Sequence, residues 1–165
     1  MCDSDLRADR ASSVTVRKAR VGDARAICSL INNYAEHDRM LFRSMADIYE
    51  NLQAFTVGEI AGEAVGCCAL EVIWSDLAEI KSLAVAEEHK HKGVGRGLVR
   101  AALDQARELG LPRVLALTLE QEFFRKQGFE KVEMKTLPMK VWSDCARCPK
   151  QSHCDEVAMT MTLSI

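Results

Sequence analysis

The segment LAEIKSLAVAEEHKHKGVGRGLVRAALDQARELG, residues 77–110, constrains the fold more than any other part of the chain. Its first third, 77–86, is an apolar run that reads as a strand. Glycines at 93, 95 and 97 then break the pattern. From Gly95 to Leu109 the residues Leu98, Val99, Ala102, Leu103 and Ala106 recur at three- and four-residue steps, with charges between them. That spacing predicts an amphipathic helix, stopped by Gly110 and Pro112.

A strand, a glycine loop and a helix in this order make an anion site. Glycines let backbone N–H groups turn into one concavity, and the helix N-terminus adds partial positive charge. Lys90, Lys92 and Arg96 supply side-chain charge. Two common nucleotide loops are excluded by spacing. A phosphate-binding G-x-x-x-x-G-K-[ST] loop fails because Leu98 and Val99 follow Gly97. The dinucleotide G-x-G-x-x-G fails because Leu98 takes the sixth place.

The remaining chain reads by period. Residues 14–20 suit a strand. Gly22 and Asp23 open a helix with Ala26, Ile27, Leu30 and Ile31 on its apolar face. Residues 43–52 suit a second helix, with Ser44 as N-cap and Asp47 in a variant capping box. Residues 55–74 read as two strands about a turn near Gly62. A strand over 113–119, a short helix over 120–127, a strand over 129–135 and a last strand near the C-terminus complete a mixed α/β layer domain.

A chain of 165 residues suits one domain. Residues 1–13 read as a loose tail, 14–165 as the domain, and 136–155 as a cysteine-rich loop before the last strand. Net charge is 22 − 24 = −2, so the basic run is local and no nucleic-acid surface is expected. No apolar run reaches a membrane span and residues 1–13 are polar and charged, without the apolar core of a leader, so a cytoplasmic protein with no membrane partner is expected; monomer and homodimer both stay open. Cys28, Cys67 and Cys68 lie in apolar runs and read as buried small hydrophobes.

Lys90-x-x-Gly93-x-Gly95 after a strand resembles the Gln/Arg-x-x-Gly-x-Gly/Ala pyrophosphate loop of the GNAT superfamily of acetyl-CoA-dependent N-acetyltransferases, with lysine in the first place. The resemblance implies an α/β (α+β) fold with a mixed central sheet of about six to seven strands and about four helices. It implies acetyl-CoA as co-substrate. Lys90, His91, Lys92, Gly93, Val94, Gly95, Arg96 and Gly97 would surround the diphosphate. The backbones of Leu83, Ala84 and Val85 would pair with the pantetheine arm, and one N–H there would face the oxyanion. Phe123 and Phe124 in F-x-x-x-G-F would line a second wall.

Acyl transfer to an amine needs the ammonium deprotonated. Glu79, four residues before Leu83, stands where several family members place a basic glutamate. Phe124 stands where many have a general-acid tyrosine; the tyrosines here are Tyr34 and Tyr49, far upstream. The order of MLFRSMADIYENLQAFTV, GCCALEV, LAEIKSLAV and FFRKQGF is similar to the acetyltransferase domain of bacterial N-acetylglutamate synthases, in a form without the amino-acid-kinase-like domain. That similarity implies L-glutamate as acceptor, with Arg43 gripping a carboxylate and Lys81 as a second cationic partner.

The late loop carries Cys145, Cys148, His153 and Cys154, with Lys140, Arg147 and Lys150 nearby. Structural zinc, a redox pair and packed thiols all fit these residue types; adjacent His153 and Cys154 strain a shared ion, so no metal is assigned. Two further readings stay open: another small amine or a protein N-terminus as acceptor, and a non-catalytic CoA-binding module with a metal or redox loop.

Overall fold

The computed structural model describes residues 13–138 and 155–165. Its strands are β1 (Thr15–Lys18), β2 (Phe55–Ile60), β3 (Glu63–Trp74), β4 (Leu77–Val85), β5 (Arg113–Thr118), β6 (Glu130–Val132) and β7 (Val157–Thr162). They form one sheet in the order β1-β2-β3-β4-β5-β7-β6. β4 and β5 run parallel, whereas β1–β2, β2–β3, β5–β7 and β6–β7 are antiparallel, so the sheet is mixed. The described residues form four α-helices: α1 (Ala24–Ala35), α2 (Met45–Glu50), α3 (Val94–Glu108) and α4 (Gln121–Lys126). Seven strands and, among the described residues, four helices match the mixed sheet and helix number that the resemblance implies.

The chain divides into two compact units. One holds the described residues up to Ala69 together with Ser82–Ala101; the other holds Leu70–Lys81 and Ala102 onward. In the first, Ile27 and Ile31 of α1, Ile48 of α2 and Phe55, Val57 and Cys67 of the sheet build the core. In the second, Ile73, Leu77, Leu115, Leu137 and Ala158 do so. The β2–β3 turn is Ala61-Gly62, with φ of 52° and 80°; positive φ at both loop residues is the turn that matches strand twist.

Several expectations shift in detail. α1 buries Ala24, while Ala26 is half-buried, and a short 3-10 turn over Val21–Asp23 leads directly into the helix. α2 is shorter than 43–52. Ser44 caps it by accepting from the Asp47 N–H at 3.1 Å, but the Asp47 carboxylate does not close a box; it takes Arg43 and Asn51 instead. α3 begins at Val94, one residue before Gly95. The strand expected over 129–135 ends at Val132, and a 3-10 turn covers Met134–Thr136.

Cys67 and Cys68 are buried as expected, while Cys28 is half-buried and donates to the Arg43 carbonyl. Burial pushes the Cys68 thiol up to about 12, and Cys67 is raised by burial as well. Each therefore holds its proton more tightly folded than unfolded. Their contribution to stability is complete below about pH 9 and falls as pH rises toward 12. Iodoacetamide at pH 8 should leave both unmodified in the native protein and label both in urea, read by mass spectrometry. Native labelling would contradict their burial.

Candidate active site

The first unit contains the whole segment 82–97. The first N–H to close the α3 ladder belongs to Gly97, on the Gly93 carbonyl at 3.0 Å. The N–H groups of Val94, Gly95 and Arg96 thus lie outside that ladder, available to an anion. His91 and Gly93 take φ of 63° and 87°, which turns the backbone sharply just before the helix. A Cβ on Gly66 would lie 2.7 Å from Val94 Cγ1, and one on Gly58 2.9 Å from the same atom. Two glycines in β2 and β3 therefore let the start of α3 sit close on the sheet. These features fit a diphosphate cradle.

Lys90, the first residue of the motif, bonds Glu87 at 2.7 Å and lies 5.3 Å from the centroid of the Tyr34 ring. Glu87 raises the pKa of Lys90, and Lys90 lowers that of Glu87. Lys92 lies 3.4 Å from the His89 ring nitrogen. The Tyr34 hydroxyl donates to the Val85 carbonyl at 2.6 Å. Tyr34 thus braces both the end of β4 and the first residue of the loop. Sequence reading passed over it because the contact partners are 51 residues apart.

Ser82 interrupts β4 with φ of 53°. A serine in that left-handed region costs about 1–3 kcal/mol and persists only where the surroundings enforce it. Registered pairing of β4 with β5 ends at Ile80, opposite Ala116. Leu83, Ala84 and Val85 follow the interruption, and Ala86 donates its N–H to Val65 at 2.8 Å.

Arg43 stands before α2. Its Nε donates to Asp47 at 2.5 Å, its Nη1 donates to Ser82 Oγ at 3.2 Å, and its guanidinium carbon lies 5.4 Å from the Phe55 ring centroid. The backbone of Arg43 is clamped by the Asn32 side chain in both directions.

In the second unit, Glu79 is buried in the apolar stretch Leu77–Ile80, only 5% exposed. Its Oε2 lies 3.7 Å from Lys81 Nζ, which also pairs with Glu71 at 2.9 Å. Glu79 and Lys81, two residues apart on β4, thus lie on one face of the strand. Phe124 is buried edge-on between Phe123 and Phe129, each ring 5.1 Å away. Among the described residues no cluster of metal-ligating side chains occurs. Cys145, Cys148, His153, Cys154, Lys140, Arg147 and Lys150 lie outside the described residues. No helix among the described residues is long and apolar enough to cross a membrane.

Residues 24–129 match the acetyltransferase (GNAT) family, and the chain belongs to it. It is 43% identical over 153 residues to an uncharacterised N-acetyltransferase of Chlorobaculum tepidum, covering 93% of this chain and 99% of that protein. It is 39% identical over 135 residues to an amino-acid acetyltransferase of Mycobacterium tuberculosis, covering 80% of this chain and 77% of that one. The N-acetylglutamate synthase of Neisseria gonorrhoeae, complexed with coenzyme A and N-acetyl-glutamate, has a TM-score of 0.84 at 28% identity. That alignment covers 93% of this chain but 36% of the synthase.

Proposed function

We propose that the chain transfers the acetyl group of acetyl-CoA to the α-amine of L-glutamate. The thioester supplies the activated acyl carbon. The N–H groups at the start of α3 and the loop from Lys90 to Gly97 hold its diphosphate, and the backbone of Leu83–Val85 aligns its pantetheine arm. Glu79 takes a proton from the acceptor ammonium, directly or through water, so that the free amine forms the new C–N bond as the C–S bond breaks. The second proton, shed by the nitrogen as it becomes an amide, passes to the departing thiolate or to water, and no dedicated acid is needed because an unperturbed thiol titrates near 8.5. This agrees with a phenylalanine, Phe124, at the family's tyrosine position.

The observation that carries the choice of acceptor is Arg43. Its guanidinium lies over the Phe55 ring, two of its donors are engaged by Asp47 and Ser82, and the rest of the fork suits a carboxylate. Lys81 offers a second cation, shared with Glu71 and Glu79. The relatives named amino-acid acetyltransferase and the N-acetylglutamate synthase complexed with N-acetyl-glutamate support the same choice.

The test is release of free CoA against a panel of amino acids, repeated on Arg43→Ala. Glutamate should be the preferred acceptor. Its KM should rise roughly 10- to 100-fold in the variant, the size of a lost charged hydrogen bond, with CoA affinity within about twofold. Preference for an amine without a carboxylate would overturn the acceptor assignment.

A further inference from the structure

We propose that Ser82 is a positioning residue that ties recognition of the acceptor carboxylate to the strand holding the acyl donor; this rests on Arg43 reading that carboxylate, as proposed above. Two independent features converge on Ser82. Its backbone takes a left-handed φ of 53° in mid-strand, just after the β4–β5 register ends and just before Leu83–Val85. Its side chain accepts the Arg43 Nη1 hydrogen at 3.2 Å.

The surrounding contacts hold both features in place. The Ser82 carbonyl accepts from the Cys67 thiol at 3.5 Å, which anchors the backbone from β3. Arg43 is braced from the other side by Asp47, itself fixed by Asn51 at 3.0 Å and by the Ser44 cap. A guanidinium has five donors. Among the described residues Asp47 engages one and Ser82 one, which leaves three, and the plane in which they lie is set by Ser82 and Asp47. A carboxylate fork works only in that plane. A ligand pulling on Arg43 therefore acts, through one hydrogen bond, on the residue that directs Leu83–Val85. Energy can pass the other way by the same bond, because binding linkage is reciprocal.

Ser82→Gly isolates the side chain, since glycine adopts the same φ without cost while lacking Oγ. Ser82→Ala, run beside it, removes Oγ and keeps Cβ. KM for L-glutamate should rise about tenfold in both, as for one hydrogen bond to a charged group, with the loss falling on KM and not on kcat. CoA affinity without glutamate should stay within about twofold. Calorimetric titration supplies the decisive reading. In the wild type, saturating L-glutamate should tighten CoA binding by about fivefold or more, and in Ser82→Gly that coupling should shrink to less than about twofold.

Wild-type KM and wild-type coupling in both variants would overturn the inference and leave the glutamate reading intact. A wild type that prefers a different carboxylated amine would overturn the glutamate reading alone, and the same ratios are then read with that amine. A preferred acceptor lacking a carboxylate would overturn both.

Discussion

Glu79→Gln should reduce kcat by roughly 10²–10⁴-fold while leaving CoA affinity within twofold of the wild type. Glutamine keeps the volume and a hydrogen-bonding oxygen, so the substitution removes the proton acceptor without opening a cavity. The residue is suited to the role by its placement. It is 5% exposed, on the strand that continues into Leu83–Val85, with Lys81 Nζ 3.7 Å away. Its neighbours Leu77, Ala78 and Ile80 are all buried, so the carboxylate lies in an apolar stretch of the strand. Steady-state kinetics with saturating acetyl-CoA checks the expectation. An unchanged kcat would assign proton removal to another group.

Gly66→Ala should weaken CoA binding by at least about tenfold, at a stability cost of about 1–3 kcal/mol from overpacking. The new Cβ would meet Val94 Cγ1 at 2.7 Å, Leu98 Cδ1 at 3.1 Å and the Ala84 carbonyl at 3.3 Å. Distances below 3.0 Å cannot persist, so the first turn of α3 must lift from the sheet and carry its N–H groups with it. Displacement matters more than lost stability here, because anion binding depends on where those N–H groups point. Gly62→Ala is the control. Its φ of 80° makes alanine strained, yet nothing lies within 4 Å of the added Cβ. It should lower the melting temperature and leave CoA affinity intact. Equal effects of the two variants on CoA binding would contradict the close-approach account.

The fold and the glycine loop were legible where a local signal was strong. The shift from an apolar run to glycines to a three- and four-residue repeat located β4, the loop and α3 to within a residue. Ser44 as a cap was readable for the same reason. What escaped was tertiary. Ser82 sits inside an unbroken strand-like run, and nothing in IKSLAV announces a left-handed residue. The Arg43–Ser82 bond joins residues 39 apart, and Tyr34 reaches Val85 across 51. Asp47 satisfied a capping pattern by type and spacing, yet Arg43, four residues earlier, is a stronger partner for its carboxylate than a backbone N–H. Nothing in the sequence sets Gly58 and Gly66 apart from other strand glycines; only the close approach of Val94 and Leu98 does.

The central claim is that backbone N–H groups between His91 and Arg96 hold the diphosphate of the acyl donor. Calorimetric titration of the protein with CoA, and separately with pantetheine, which lacks the diphosphate, tests it most directly. Two charge-assisted hydrogen bonds predict affinity for CoA about a hundredfold above that for pantetheine. The difference should collapse in Gly93→Val, where valine cannot adopt the φ of 87°. Equal affinity for the two ligands, or a Gly93→Val variant that binds CoA as the wild type does, would contradict the account.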